Sequence, residues 1–310
     1  MFTLIICSYN GEQRLAKAVE GVLGQEGYAS RVARLVLVDN NSTDGTEAVM
    51  RAYAKSRPEA VYVKETAQGL AYARLAGLRH VETEWLVYLD DDNIMAPTWL
   101  TEAAGFIASH PRLGALNGAV IPRLDFTPGS LQTALLRRYY KYLTCTHLAR
   151  RDIDPARTRH PLGWMFGAGL LLRAEPVKEL AREGWLRNVG RRGADLYCGD
   201  DVELCAYVKR RGYELLYHPG MVMEHLIGPE RLTRDYLSRL YAGYVESCYE
   251  EMVRGKSEYL VHWLARLGLY GQALAARLGK NGGFGTIAAV EASFYRAFLA
   301  HYEKKKAQRR

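Results

Sequence analysis

Three consecutive carboxylates, Asp90, Asp91 and Asp92, close the apolar run Trp85 to Leu89. Asp90 and Asp92 stand two residues apart, so in an extended backbone they point to the same side, where two carboxylates repel unless a cation lies between them. The same cluster is also what a solvated turn looks like, because aspartate favours turns. A second acidic pair, Asp200 and Asp201, opens the helical run 201–211, where two aspartates ordinarily serve as caps. Asp39 ends another apolar run; a carboxylate is an acceptor only and suits the imide of a nucleobase or a ribose hydroxyl. Arg191 and Arg192 lie in the glycine-flanked loop Val-Gly-Arg-Arg-Gly at 189–193. They are expected either to close on a diphosphate as charge-assisted donors or to be a solvated loop.

These groups need a scaffold, and the first 120 residues supply one repeating unit. Apolar runs at 2–7, 33–38, 60–64 and 85–89 alternate with amphipathic stretches at about 12–26, 43–56, 69–82 and 97–109, which reads as βαβα winding. Such units close as a largely parallel sheet covered by helices, with ligands outside the carboxyl ends of the strands. Those ends carry Ser8-Tyr9-Asn10, Asp39-Asn40-Asn41, Glu65-Thr66 and Asp90-Asp91-Asp92. Polar groups from four strands therefore converge on one edge. Neither G-x-x-x-x-G-K-[ST] nor G-x-G-x-x-G follows the first strand, which argues against a P-loop nucleotidase and a dinucleotide-dependent dehydrogenase.

At 310 residues, 48% hydrophobic and 25% charged, the chain has room for one large domain or two small ones. The five cysteines, Cys7, Cys145, Cys198, Cys205 and Cys248, form no C-x-x-C pair, so neither a disulfide framework nor a zinc knuckle is indicated. The chain enters Phe-Thr-Leu-Ile-Ile-Cys without a basic leader, and no run reaches the length of a membrane span, so a cytoplasmic location is expected. The net charge of +8 is uneven: residues 228–310 hold 14 Lys and Arg against 8 Asp and Glu, and residues 1–227 hold 28 against 26. A basic tail on a near-neutral body points to an anionic surface or to a solvated helical face.

The segments Cys-Ser-Tyr-Asn-Gly-Glu (7–12), Val-Asp-Asn-Asn-Ser-Thr-Asp-Gly-Thr (38–46), Gly-Leu-Ala-Tyr-Ala-Arg (69–74) and Leu-Asp-Asp-Asp-Asn (89–93) resemble, in order and spacing, the motifs of family-2 inverting glycosyltransferases of the GT-A fold. The resemblance continues through Phe-Gly-Ala-Gly-Leu-Leu-Leu-Arg (166–173) and Cys-Gly-Asp-Asp-Val-Glu-Leu (198–204), and stops near residue 226. It implies a GT-A type, Rossmann-like, mostly parallel sheet flanked by helices over residues 1–227, with a nucleotide-binding half (1–120) and an acceptor-binding half (121–227). Residues 228–310 would form an α-helical extension. It implies a nucleotide-sugar donor, with UDP-sugar first among the candidates, held by Ser8, Tyr9, Asn10, Glu12, Asp39, Arg74, Asp90 and Asp91. Asp92 and His225 would hold Mn2+ or Mg2+, both ions that suit oxygen ligands, with imidazole favouring manganese. Asp201 matches the catalytic base, with Asp200 beside it, and Trp164 could stack on a sugar ring. The sequence departs from the family's pattern at Ala67, Leu75, Asn93 and Asp200, which bears on the donor more than on the reaction.

The expected activity is transfer of a sugar to an acceptor hydroxyl in polysaccharide, glycolipid or other cell-surface glycan synthesis. The acceptor would be a glycan or a lipid-linked molecule. A sugar nucleotidyltransferase is the alternative enzyme, lacking here its glycine-rich basic loop. A nucleic-acid-binding protein using the tail is the alternative module, but no nucleic acid is expected because that reading leaves the four converging strand ends unexplained. In the tail, Leu260, Trp263, Leu264, Leu267, Leu274 and Leu278 share one helical face, with Arg266 and Arg277 on another. This amphipathic helix would cover the sheet domain, join a partner subunit in an oligomer, or lie peripherally on an anionic membrane surface at the inner face.

Overall fold

A computed structural model describes residues 1–143, 165–185, 199–253, 258–278 and 283–308. Trp164, Arg191 and Arg192 lie outside these residues. The described chain runs β1 (Phe2–Ser8), α1 (Leu15–Leu23), α2 (Tyr28–Arg31), β2 (Val32–Asp39), α3 (Thr46–Ser56), β3 (Ala60–Lys64), α4 (Leu70–Leu78), β4 (Trp85–Asp90), β5 (Asn93–Met95), α5 (Trp99–Ser109), β6 (Leu113–Arg123) and α6 (Ser130–Leu143). It continues with β7 (Leu170–Arg173), α7 (Ala174–Arg182), α8 (Asp200–Arg210), β8 (Glu214–Leu226), a 3-10 turn at Pro229–Leu232, α9 (Arg234–Val253), α10 (Glu258–Leu278) and α11 (Gly283–Gln308). The chain divides into two compact units. The first comprises Met1–Arg123, Lys141–Val189 and Asp200–Leu226; the second is built on Leu124–Tyr140 and Ile227–Arg310.

The first unit is an eight-stranded sheet in the order β3-β2-β1-β4-β7-β6-β8-β5. Its apolar runs are continuous because both faces are covered, as parallel strands require. Along β1, Phe2, Leu4 and Ile6 face one buried cluster, while Ile5 and Cys7 face the other. α1, α3 and α5 close the first face with Leu15, Val19, Met50, Trp99 and Leu100. α4, α7 and α8 close the second with Ala73, Ala76, Val177, Leu180 and Leu204. Each large side chain buried this way contributes about 1.5–3 kcal/mol against exposure.

β1 pairs in parallel with β2 and β4, and β2 with β3, in a register that sets Ser8 beside Asp39, Cys7 beside Asp90 and Asp39 beside Lys64. The polar strand ends are therefore level. The winding runs outward from β1 through β2 to β3 on one side and to β4 on the other, so the crevice opens at the carboxyl ends between β1 and β4. Beyond β4 the sheet becomes mixed: β7 is antiparallel to β4 and β6, and β5 is antiparallel to β8, whereas β6 and β8 run parallel. The repeat legible over the first 120 residues thus does not continue, and only four of the seven described strand pairings are parallel.

The second unit is helical. Val245, Tyr249, Ala265 and Phe298 form its described core, backed by Val261, Phe294, Tyr295 and Tyr302. Tyr249 packs on Phe298 with ring centroids 4.9 Å apart, and Tyr241 meets Phe294 edge-on at 5.4 Å.

Candidate functional site

The acidic triplet is not an extended segment. β4 ends at Asp90, residues 91 and 92 form a turn, and Asn93 begins β5. The inference that Asp90 and Asp92 share one side of a strand is therefore corrected, and the cause is local: aspartate and asparagine side chains bond to nearby backbone and favour turns. Asn93 closes this one, accepting from the Asp90 backbone N–H at 3.2 Å and donating to Asp92 Oδ1 at 2.9 Å. The turn sends the three carboxylates to three different partners.

Asp91 is clamped by Arg14. The guanidinium Nε donates to Oδ1 at 2.6 Å and Nη2 to Oδ2 at 2.9 Å, and Ser8 Oγ donates to the same carboxylate. Burial pushes this carboxyl up to about 6, although Arg14 pulls it down; Asp92 next door adds to the rise. Asp92 lies buried against His225, Oδ2 to Nε2 at 3.2 Å. The antiparallel register of β5 on β8, Asn93 opposite His225, brings the imidazole there. Asp90 is the most open of the three, with its side chain 27% exposed, and it lies 3.8 Å from Arg74 Nη2.

Arg74, buried on α4, joins this edge to a second acidic pair. Its Nη1 donates to Asp200 Oδ2 at the start of α8, and Tyr88 Oη donates to its backbone carbonyl at 3.2 Å. Burial by itself would weaken its charge, but Asp200, Asp90 and Asp201 hold it more firmly protonated than an ordinary arginine. Gly167 lets the backbone pass this close, since a Cβ there would sit 2.2 Å from Nη2. Asn117 supports that passage by donating to the carbonyls of Phe166 and Ala168, each at 3.1 Å. Asp201 accepts from the backbone N–H groups of Gly167 at 2.8 Å and Val202 at 2.9 Å. Burial, then the charge of Asp200, push its carboxyl up to about 6 against the pull of Arg74. At neutral pH the group is still mostly ionised, and its affinity for a proton is closer to that of a general base.

Asp39 is fully enclosed. Oδ1 accepts from the Ser42 backbone N–H at 2.8 Å, while Oδ2 accepts from Lys64 Nζ at 2.8 Å and Tyr62 Oη at 3.2 Å. Burial acts to raise its pKa, but the hydrogen bonds from Lys64 and Ser42 outweigh it and hold the carboxyl below its usual range. Through its bond from Ser42, Asp39 also helps form the turn after β2. The loops around it are stitched together. Asn10, left-handed at φ 50°, donates its N–H to Ser42 Oγ at 3.0 Å and accepts from the Thr43 N–H at 2.8 Å. Glu12 accepts from the Gly45 N–H at 3.0 Å, and Asn40 bridges the carbonyl of Ala67 at 2.7 Å and the N–H of Gly69 at 2.8 Å.

Sequence reasoning missed Arg14, Lys64, Tyr62, Asn40 and Asn117. Only Asn40, beside Asp39 in an Asp-Asn-Asn run, carries a local signal. Among the described residues, no group of three His, Cys, Asp or Glu side chains is arranged to hold a metal. The donors that meet are two, Asp92 and His225. That number fits an ion of the magnesium or manganese type, which is commonly bound by one or two protein groups and completed by substrate phosphates and water.

The glycosyl transferase family 2 model matches residues 3–166, more than half of the chain. The minor teichoic acid biosynthesis protein GgaB of Bacillus subtilis (strain 168) is 30% identical over 111 residues, 35% of this chain and 12% of GgaB. The poly(ribitol-phosphate) beta-N-acetylglucosaminyltransferase TarS of Staphylococcus aureus (strain Mu50 / ATCC 700699) is 25% identical over 207 residues, 62% of this chain. The chain spans 36% of the length of TarS and less of GgaB. Among solved structures, the mannosyltransferase PcManGT from Pyrobaculum calidifontis, in complex with GDP-Man and Mn2+, superposes with a TM-score of 0.63 at 22% identity, covering 98% of this chain and 87% of that one. This likeness is one of fold.

Proposed function

The chain belongs to glycosyl transferase family 2 and has its GT-A fold, and from that premise we propose that it moves a sugar from a nucleotide-diphospho donor to an acceptor hydroxyl with inversion. The observation that carries this reading is Arg74, whose guanidinium meets Asp90 at the donor edge and Asp200 at the head of α8. One buried cation thereby ties the strand ends to the helix bearing Asp201.

In this reading the nucleoside lies across the ends of β1, β2 and β4, with the base beside Asp39 and Lys64 and the ribose beside Asp90. Asp92 and His225 would hold a divalent cation. When bound, the cation supplies Lewis-acid stabilisation of the departing diphosphate. Asp201 accepts the acceptor's proton as the acceptor oxygen bonds to the anomeric carbon. The anomeric C–O bond breaks on the opposite side, and its electron pair leaves with the nucleoside diphosphate. A carboxyl shifted toward neutrality suits that proton transfer, typically worth about 10²–10⁴ in rate. The solved mannosyltransferase named with GDP-Man and Mn2+ supports a nucleotide sugar as the donor class. UDP-sugar is our first choice, and the acceptor would belong to a cell-surface glycan, as the names of GgaB and TarS suggest. The family match favours glycosyl over nucleotidyl transfer.

The decisive experiment is a screen of UDP-, GDP- and dTDP-sugars with and without Mn2+, following nucleotide release by wild type and Asp201→Asn. Release that needs the metal and collapses in the variant supports the reading. Unimpaired transfer by Asp201→Asn removes Asp201 as the base.

A further inference from the structure

α10 carries four large apolar side chains in water. Leu264, Leu267, Tyr270 and Leu274 are 52%, 49%, 73% and 58% exposed, all within eleven residues. At 100° per residue they fall on one flank of the helix. The opposite flank, which packs in the helical unit, carries Val261, Ala265 and Gly268. Tyr295 of α11 comes so close that a Cβ at position 268 would stand 2.5 Å from its ring. Four large apolar side chains left in water on one flank run against the order that burial favours. Gly271, on the outer flank, has open space around it, so no described side chain from this unit covers the stripe there.

The charges select what covers it. Residues 254–280 contain five basic residues, Arg254, Lys256, Arg266, Arg277 and Lys280, against one acid, Glu258. Arg266 is exposed and borders Tyr270 on the helical wheel. A second copy of this chain seated on the stripe would bring like charges together around an apolar centre. An anionic lipid surface meets both features, since leucines and a tyrosine enter the acyl boundary while arginines remain at the headgroups. No helix among the described residues is long and apolar enough to cross a membrane, so the geometry is that of a helix lying in the interface.

We propose that the outer face of α10 docks this protein onto an anionic membrane surface. This rests on the helical unit alone and stands or falls independently of the transfer reaction. The test is flotation of the full chain with vesicles of phosphatidylcholine alone and of phosphatidylcholine with phosphatidylglycerol, at low and high salt. Variants Leu267→Glu/Leu274→Glu and Arg266→Glu are run beside wild type, with helicity checked by circular dichroism. The expected result is binding to anionic vesicles that drops about tenfold or more in the double variant and several-fold in Arg266→Glu or at high salt. Both substitutions lie on exposed positions, so unchanged helicity is expected. Should the double variant lose helicity, acrylodan on a cysteine placed at Tyr270 reads the same contact, with a blue shift expected on anionic vesicles. Wild-type binding that the variants leave intact, no binding or no blue shift, or a lipid-independent dimer that Leu267→Glu/Leu274→Glu abolishes would each overturn the proposal.

Discussion

The triplet at 90–92 and the pair at 200–201 are made of one residue type, yet they solve the problem of burying acid differently. In the triplet each carboxylate has a different cationic or titratable neighbour: Arg14 for Asp91, His225 for Asp92 and, at 3.8 Å and shared with Asp200, Arg74 for Asp90. In the pair one aspartate, Asp200, takes the buried arginine, and Asp201 accepts from backbone N–H groups. The first arrangement distributes charge around a place where more charge can arrive. The second leaves one group with a raised proton affinity beside a fixed ion pair. Charge that is matched locally prepares a binding site, and charge that is matched one residue away prepares a base.

The strongest way to break this contrast is Asp201→Asn. It preserves the side chain's shape while replacing one accepting oxygen with an amide NH2 and removing the proton acceptor, so turnover should fall about 10²–10⁴-fold with nucleotide affinity, measured by titration calorimetry, nearly unchanged. Equal losses in both would make Asp201 a binding group. Asp92→Asn should act on the other side of the comparison, lowering metal-dependent turnover about 100-fold and abolishing the response to added Mn2+. A variant whose response to Mn2+ matches wild type would remove Asp92 as a ligand.

A smaller effect sharpens the line between structure and chemistry within the triplet. Arg14→Met strands Asp91 in a buried place. Removing one partner of a fully buried pair costs about 3–5 kcal/mol; because Arg14 is 38% exposed, a loss of about 1–3 kcal/mol is expected in urea denaturation. The pH profile is milder still. Asp201 must be ionised to accept a proton, and its carboxyl is raised to about 6. Activity is therefore full above that value and lost as pH falls through it, by about tenfold at one unit below. A kcat limb near 4 instead, measured with saturating donor, would show that its burial does not raise its proton affinity in the working enzyme.

How far the sequence carried these conclusions varies with distance along the chain. β1 to β4 and the helices α1, α3, α4 and α5 were legible because each is a run of one hydrophobic period bounded by turn residues. Asp39, Asp90 and Asp92 were legible as acids at strand ends. Asp91 was read for its triplet, yet its tie to Arg14 spans 77 residues and leaves no local pattern. The same holds for Asp200 with Arg74, 126 residues apart. β7, inserted antiparallel between β4 and β6, has four residues and no distinguishing period. In α10 the amphipathic period was visible, but which flank packs inward was not, because alanine and glycine facing Tyr295 leave no hydrophobic signal.

The sequence by itself determined the elements of the nucleotide half, the edge on which their polar ends gather and the acids available there, since periodicity and turn chemistry act over a few residues. The tertiary structure decided which acid each cation takes and which carboxyl is pushed toward neutrality. Those outcomes depend on burial and on charges a few ångströms away in space, contributed by segments that lie far apart in the chain.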